Sequence, residues 1–248
     1  NQHFNPAMRQ VRDIMRSGEL GNVLHVHWHV GTYITLLNSG SRYQSTMECA
    51  LFLDYVHQPD LLHWWLGRRP SAVYTAGLRG GDLPLQSTPN VAAVTMEYDG
   101  SALATIHLNY VQFPQRTACE IIGDKKWLLV DLMNNTMHSG ALEGGAETHS
   151  TFSFERDEMY VAEHQAFLDA VDGKRPPESP AEDAIVAQEM VMAAMKSAGV
   201  IRCVVNAPRE ADWQAVEYLA SCEPEFISPA FGIHPWQAHT AAGGWQDR

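Results

Sequence analysis

Between residues 71 and 133 five apolar or alternating stretches follow one another: SAVYTAGL, VAAVTMEY, ALATIHLNYV, TACEIIG and WLLVDLM. The segments between them are turn-like, with no helical pattern. Parallel neighbours in a sheet need a crossover of a dozen or more residues, usually a helix, so strands without one pair as antiparallel neighbours. Asp99-Gly100, between the second and third stretches, is a hairpin turn, because both residue types tolerate positive φ. The block therefore predicts an α+β fold with an open, mostly antiparallel sheet. RGGDLPLQSTP and NNTMHSGALEGG are expected loops, and GDKKW, carrying Lys125 and Lys126, is an expected turn.

One more strand precedes the block. VLHVHWHVGTYI alternates strongly, with His25, His27 and His29 on one face and Leu24, Val26, Trp28 and Val30 on the other. Three imidazoles on one face suggest zinc, but residues two apart on a strand stand about 6.5 to 7 Å apart and do not easily converge on one ion. A polar sheet face lining a cleft or an interface is the expectation. His107, His138 and His149 are scattered, carry no ligand spacing and are read as structural or surface residues.

Helical patterns flank the strands. Pro6 opens a short amphipathic helix with Met8, Val11, Ile14 and Met15 on its apolar side and Gly18 as its stop. MECALFLDYVHQPDLLHWWLG, residues 47 to 67, places Leu51, Phe52, Tyr55, Pro59, Leu62, Trp65 and Leu66 on one broad face. On the same expected helix Asp54, His57 and Asp60 stand three apart and share a stripe. A carboxylate beside an imidazole suits proton transfer, while the same spacing also describes an ordinary exposed i,i+3 pair. DEMYVAEHQAFLDAVDG is an amphipathic helix with Met159, Ala162, Ala166, Phe167 and Val171 inward. A last helix starts at Ser179 or Pro180, has acids in its first turn, and uses Met190, Met192 and Met195 for packing.

Bulk properties narrow the partners. A net charge of −12 argues against nucleic acid or an anionic membrane. No apolar run approaches the roughly 20 residues of a membrane span. Cys49, Cys119, Cys203 and Cys222 are far apart with no CxxC, which reads as reduced thiols and a cytoplasmic location.

LDYVHQPDLLHWWLG followed by PSAVYTAG resembles the active-site helix and next strand of the Gfo/Idh/MocA family of NAD(P)-dependent oxidoreductases. His57, Asp60, Trp65, Leu66 and Gly67 match its pattern. The family's commonest form spaces its Asp and His by four, whereas Asp54 and His57 are three apart, and Glu48-Cys49-Ala50 replaces the usual glycines. The resemblance implies that His57 is the acid/base on a substrate hydroxyl, with Asp54 assisting. It also implies substrate contacts from Arg42 and Tyr43, and from Asp60 a part in positioning substrate or helix. NQHFNPA resembles the family's link from its Rossmann domain, so residues 1–22 are an expected linker helix and 23–195 a substrate-binding and dimerisation domain. The sequence has neither GxGxxG between a strand and a helix nor the family's Glu-Lys-Pro. NAD or NADP is thus implied by the family but not held by this chain. The expectation is a chain inactive alone, partnered by a missing Rossmann domain, a small hydroxylated substrate and, through the open sheet, a second copy.

From about residue 196 the pattern becomes strand, helix, strand. AGVIRCVVNA, ADWQAVEYLA and PAFGIHPW resemble the start of the TatD family of metal-dependent hydrolases, which are (β/α)8 barrels. Residues 196–248 are then an expected βαβ fragment of such a barrel. His234 would lie near its divalent metals only if the barrel were complete, since one histidine cannot hold a hydrolytic metal. The leading reading is the substrate-binding domain of an oxidoreductase acting on a sugar, cyclitol or related hydroxyl carbon. Part of a metal-dependent nuclease or esterase, and a non-catalytic dimerisation module, are the alternatives.

Overall fold

The computed structural model describes residues 1–33, 49–82, 87–200, 203–207 and 210–231. Two compact units divide the chain, Asn1–Ala198 and Gly199–Arg248. No described helix is long and apolar enough to cross a membrane.

The first unit opens with a 3-10 turn, Gln2–Phe4, and α1, Pro6–Ser17. The Asn5 side chain accepts from the Ala7 and Met8 amides, and Gly18 closes the helix in the left-handed region at φ 76°. Both devices satisfy backbone groups that a helix end leaves open. β1, Val23–Gly31, follows. The expected single helix over 47–67 is instead two: α2, Ala50–Asp54, and α3, His57–Leu66, broken at Tyr55 with φ −106° and ψ 31°. The periodicity is continuous across the break because both pieces bury apolar residues, which pattern alone cannot distinguish from one helix.

Seven more strands complete the sheet: β2 Ala72–Leu78, β3 Val91–Tyr98, β4 Ala102–Asn109, β5 Arg116–Gly123, β6 Lys126–Asp131, β7 Thr136–Ala141 and β8 Thr148–Thr151. Their order is β2-β3-β4-β1-β5-β6-β7-β8, antiparallel throughout except for the parallel β1–β4 pair. The hairpin at Asp99-Gly100 forms with φ 46° and 67°, and the Ser101 amide donates to Tyr98 O at 3.0 Å. β7 corrects the loop expected over NNTMHSGALEGG, and β8, beyond that segment, pairs with β7. Their small and polar residues have weak strand preference, and pairing to β6 supplies what local sequence does not.

One sheet face carries the core. Val26, Trp28, Val30, Val94, Met96, Ile106, Leu108, Ile121 and Leu128 are all buried on it. Leu24 was expected with them, but it is 45% exposed beside an irregularity in the β1–β5 register. Trp28 stacks on Trp65 of α3, ring centroids 5.7 Å apart. α4, Arg156–Val171, and α5, Ala181–Ser197, complete the helical side, with Met190 and Met195 buried and Met192 half-buried. α4 packs along a narrower strip than expected: Met159 and Ala166 are buried, whereas Ala162, Phe167 and Val171 are exposed.

The second unit holds β9, Cys203–Ala207, α6, Glu210–Cys222, and β10, Ile227–Phe231. β9 and β10 are parallel, so this is a βαβ unit. Trp213 meets Phe231 edge to face at 6.0 Å.

Candidate active site around His57

The break between α2 and α3 decides the site's geometry. Asp54 ends one helix and His57 begins the next, so the shared stripe expected of Asp54, His57 and Asp60 on one helix is not formed. Asp54 accepts a short hydrogen bond from the hydroxyl of Tyr110, which is 1% exposed just beyond β4. Tyr55, in the break, lies with its ring centroid 6.0 Å from that of Tyr110. Burial, and then the Asp54 charge, push the Tyr55 hydroxyl far above its usual range. A tyrosinate is therefore excluded there at neutral pH.

His57 is half-buried. Desolvation lowers its pKa below the ordinary histidine value, and the Asn1 amine and His3 act in the same direction. Asp60 and Glu163 oppose them. The acids acting on His57 thus include Asp60, one turn along α3, and Glu163 of α4. A neutral imidazole at neutral pH can accept a proton, which is what a general base requires.

Asp60 is held by a contact from ahead of α1. Its Oδ2 lies 2.9 Å from Nε2 of His3, whose side chain is 2% exposed. Nδ1 of His3 lies 2.8 Å from the Ser179 hydroxyl, and its ring stacks on Trp64 at 4.3 Å. The Arg12 guanidinium stands 4.0 Å from the centroid of the same indole and pairs with Glu178 at 3.0 Å. Asp60 therefore ties α3 to the chain ahead of α1. A cavity of about 150 Å³, lined by Phe4, Glu163, Ala166, Phe167, Pro177, Glu178 and Ser179, adjoins this chain of contacts. A larger one, about 260 Å³, lies between Pro70–Val73 and α5 and includes none of these residues.

A second polar cluster lies at the C-terminal ends of β1 and β4. His29 Nε2 is 2.7 Å from Gln112 Oε1, and Asn109 Nδ2 lies 3.2 Å from the same oxygen and 3.0 Å from His107 Nε2. Gly31 makes room for it, since a Cβ there would stand 1.9 Å from Gln112 Oε1. His107 is thus part of a network with His29, not a scattered residue. Among the described residues no group of three or more His, Cys, Asp or Glu is placed to hold a metal ion.

Arg42, Tyr43 and His234 lie outside the described residues. Tyr110, His3 and Glu163 were not foreseen. Each reaches the site from an element distant in sequence, and only a partner for the Asp54 carboxylate could have been anticipated in kind, as a buried acid needs a donor.

Comparison with known proteins bears on these elements. The family model of the GFO/IDH/MocA C-terminal domain matches residues 8–129. An oxidoreductase from Agrobacterium radiobacter, solved with NAD+, L-tartaric acid and magnesium, is similar at 17% identity and a TM-score of 0.68, over 79% of this chain and 60% of that one. An inositol dehydrogenase homolog from Azotobacter vinelandii, complexed with NADH and myo-inositol, is similar at 16% identity and a TM-score of 0.67, over 79% and 60%. The WlbA dehydrogenase from Bordetella pertussis, in complex with NADH and UDP-GlcNAcA, gives 15% identity and a TM-score of 0.60, over 80% and 60%. The chain therefore spans about 60% of the length of these structures. No curated protein matches. What the chain matches over residues 8–129, then, is the GFO/IDH/MocA C-terminal domain, on a fold that these oxidoreductase structures share.

Proposed function

We propose that residues 1–198 are the substrate-binding half of an NAD(P)-dependent oxidoreductase acting on a hydroxyl carbon of a sugar, cyclitol or hydroxy acid. The observation that carries this reading is His57: a half-buried imidazole with a lowered pKa, at the head of α3 inside the matched region. In the oxidative direction neutral His57 accepts the hydroxyl proton as the carbinol carbon gives up hydride, and in reduction it returns that proton. Asp54, oriented by Tyr110, is the assisting acid on the opposite side of the helix break. Asp60, braced by His3, positions α3 and adds negative charge beside His57.

When bound, nicotinamide supplies the hydride acceptor. The residues of this chain do not fit its dinucleotide. Among the described residues the first unit's parallel pair is β1–β4, and the sequence after β1, β4 or β9 carries no GxGxxG pattern. The chain thus offers the proton-handling wall of the site and is expected to turn over no substrate alone.

The open sheet face supports a second copy as partner. Tyr74, Leu78, Leu103, Ile122 and Leu129 share that face and are each at least 36% exposed. Apolar exposure across a sheet face favours association. For residues 196–248, the parallel β9–α6–β10 unit is compatible with the barrel-hydrolase reading without singling it out.

Saturation-transfer NMR of the purified chain with polyols, hydroxy acids and nucleotide sugars tests the oxidoreductase reading. One class is expected to bind, and His57→Ala is expected to weaken it about tenfold, the loss of one good hydrogen bond. Absence of binding across all classes, or equal binding by the variant, would overturn it.

A further inference from the structure

We propose that His107 and Asn109 are positioning residues for the candidate site: a neutral His107 holds the Asn109 amide, and Asn109 shapes the turn that presents the Tyr110 hydroxyl to Asp54. Strand alternation puts His107 and Asn109 on the open face of the sheet, while Tyr110, 1% exposed, reaches Asp54 of α2 on the other side. The contacts therefore cross the sheet. Their part in catalysis rests on the reading of Asp54 as the assisting acid, whereas the coupling itself does not.

One backbone group settles the polarity of the whole cluster. The Val111 N–H can only donate, so the Asn109 atom 3.1 Å from it is the carbonyl Oδ1. The amide Nδ2 of Asn109 is then the atom 3.2 Å from Gln112 and 3.0 Å from His107 Nε2. An amide nitrogen only donates, so it needs an acceptor on each: Oε1 of Gln112 and a bare Nε2 on His107. His29 Nε2, 2.7 Å from the same Gln112 oxygen, must carry a hydrogen. The cluster is fully paired only with His107 neutral and its proton on Nδ1. Asn109 is 4% exposed, so a partner lost there is poorly replaced by water.

Asn109 governs Tyr110 through the backbone. The bond from Val111 to the Asn109 side chain closes an Asx turn with Tyr110 as its middle residue. The Asn109 carbonyl accepts from the Thr32 amide and the Tyr110 amide donates to Asn90 O, each at 3.0 Å. Protonation of His107 sets a second N–H against the Asn109 amide, so an attraction becomes a repulsion. The Asn109 side chain then turns away, the turn opens, and Tyr110 loosens its hold on Asp54. Among the described residues, few charged groups bear on His107. On β1, His29 stands opposite it and His27 lies further along the same face. On β3 its partner is Ala93, which carries no charge. Glu120 and Arg116 of β5 lie beyond β1, opposite His27 and Gly31. Burial, then His29 and His27, lower the pKa of His107, which places the switch below the ordinary histidine value of about 6.5.

The test is an NMR pH titration of the whole chain without ligand, following the His107 Cε1 proton and the Tyr110 ring signals together. The Tyr110 signals are expected to move with the midpoint of His107. His107→Gln, which keeps an acceptor and cannot titrate, is expected to remove that step and hold Tyr110 at its high-pH position. Asn109→Ala is expected to hold Tyr110 at its low-pH position throughout, with far-ultraviolet dichroism as the check on folding. Tyr110 signals that stay still or move at a different midpoint as His107 titrates, or a step that persists in His107→Gln, overturn the proposal. The wild-type coincidence needs no variant to fold. No readout here depends on ligand binding, so failure of the oxidoreductase reading shows separately, in the ligand experiment with His57→Ala.

Discussion

His57 is the residue on which the functional reading turns, and its protonation has a thermodynamic consequence. Burial lowers its pKa in the folded chain, so between that lowered value and the unfolded value of about 6.5 the unfolded state binds more protons. Stability contributed by neutral His57 is therefore fully present above about pH 6.5 and is lost as the pH falls through the folded value. His57→Asn, which cannot titrate, is expected to flatten the pH dependence of the denaturation midpoint below about pH 6.5. Asp54 offers a second test. Tyr110→Phe removes the hydroxyl donor to its carboxylate and is expected to cost about 1.5 to 3 kcal/mol in chemical unfolding, as for a hydrogen bond to a charged group. Double-mutant coupling with Asp54→Asn checks that the loss belongs to this contact. The identity of His57 as the candidate base was legible in the motif. Its surroundings were not, because Tyr110, His3 and Glu163 arrive from β4, the chain start and α4.

At the scale of elements, legibility followed local signal. α1 was readable from both ends, since Pro6 suits a first helical position and Gly18 a left-handed stop, while the Asn5 cap emerges from the structure. Asn5→Ala is expected to lower stability by about 1 kcal/mol, measured by thermal or urea unfolding. The strands from β2 to β6 were legible from alternation and turns. β7 and β8 were not, since Ser139, Gly140 and the flanking polar residues form strands only by pairing outward from β6. The break between α2 and α3 was hidden for a different reason: burial on both sides of Tyr55 keeps the apolar period intact while the backbone turns. That break separates Asp54 from His57 and so reshapes the site.

For the first unit as a whole, the sheet divides the labour between its two faces. The buried face holds Trp28 and the aliphatic core under α1, α2, α3 and α5, while the open face carries histidines among exposed apolar side chains. Burial lowers the pKa of His27 and of His107, and neighbouring histidines add to both shifts, while Glu120 opposes that of His27. His27 and His107 therefore gain positive charge on acidification only below the ordinary histidine range. Association through this face predicts a dimer in sedimentation at neutral pH, and Leu103→Asp at its centre is expected to shift it to monomer without unfolding the chain. The α+β class and the sheet's openness were legible in the turn spacing of residues 71–133. The sheet's order was not, because the parallel β1–β4 pairing joins strands about seventy residues apart and leaves no local trace.

The measurement that bears most directly on the account is the pKa of His57 itself, read from its Cε1 proton by NMR across a pH titration. A neutral proton acceptor predicts a midpoint below about 6.5, the ordinary histidine value, and a further change when a hydroxylated ligand binds. A midpoint at or above that value, unmoved by every hydroxylated ligand tried, would contradict the assignment of His57 as the base.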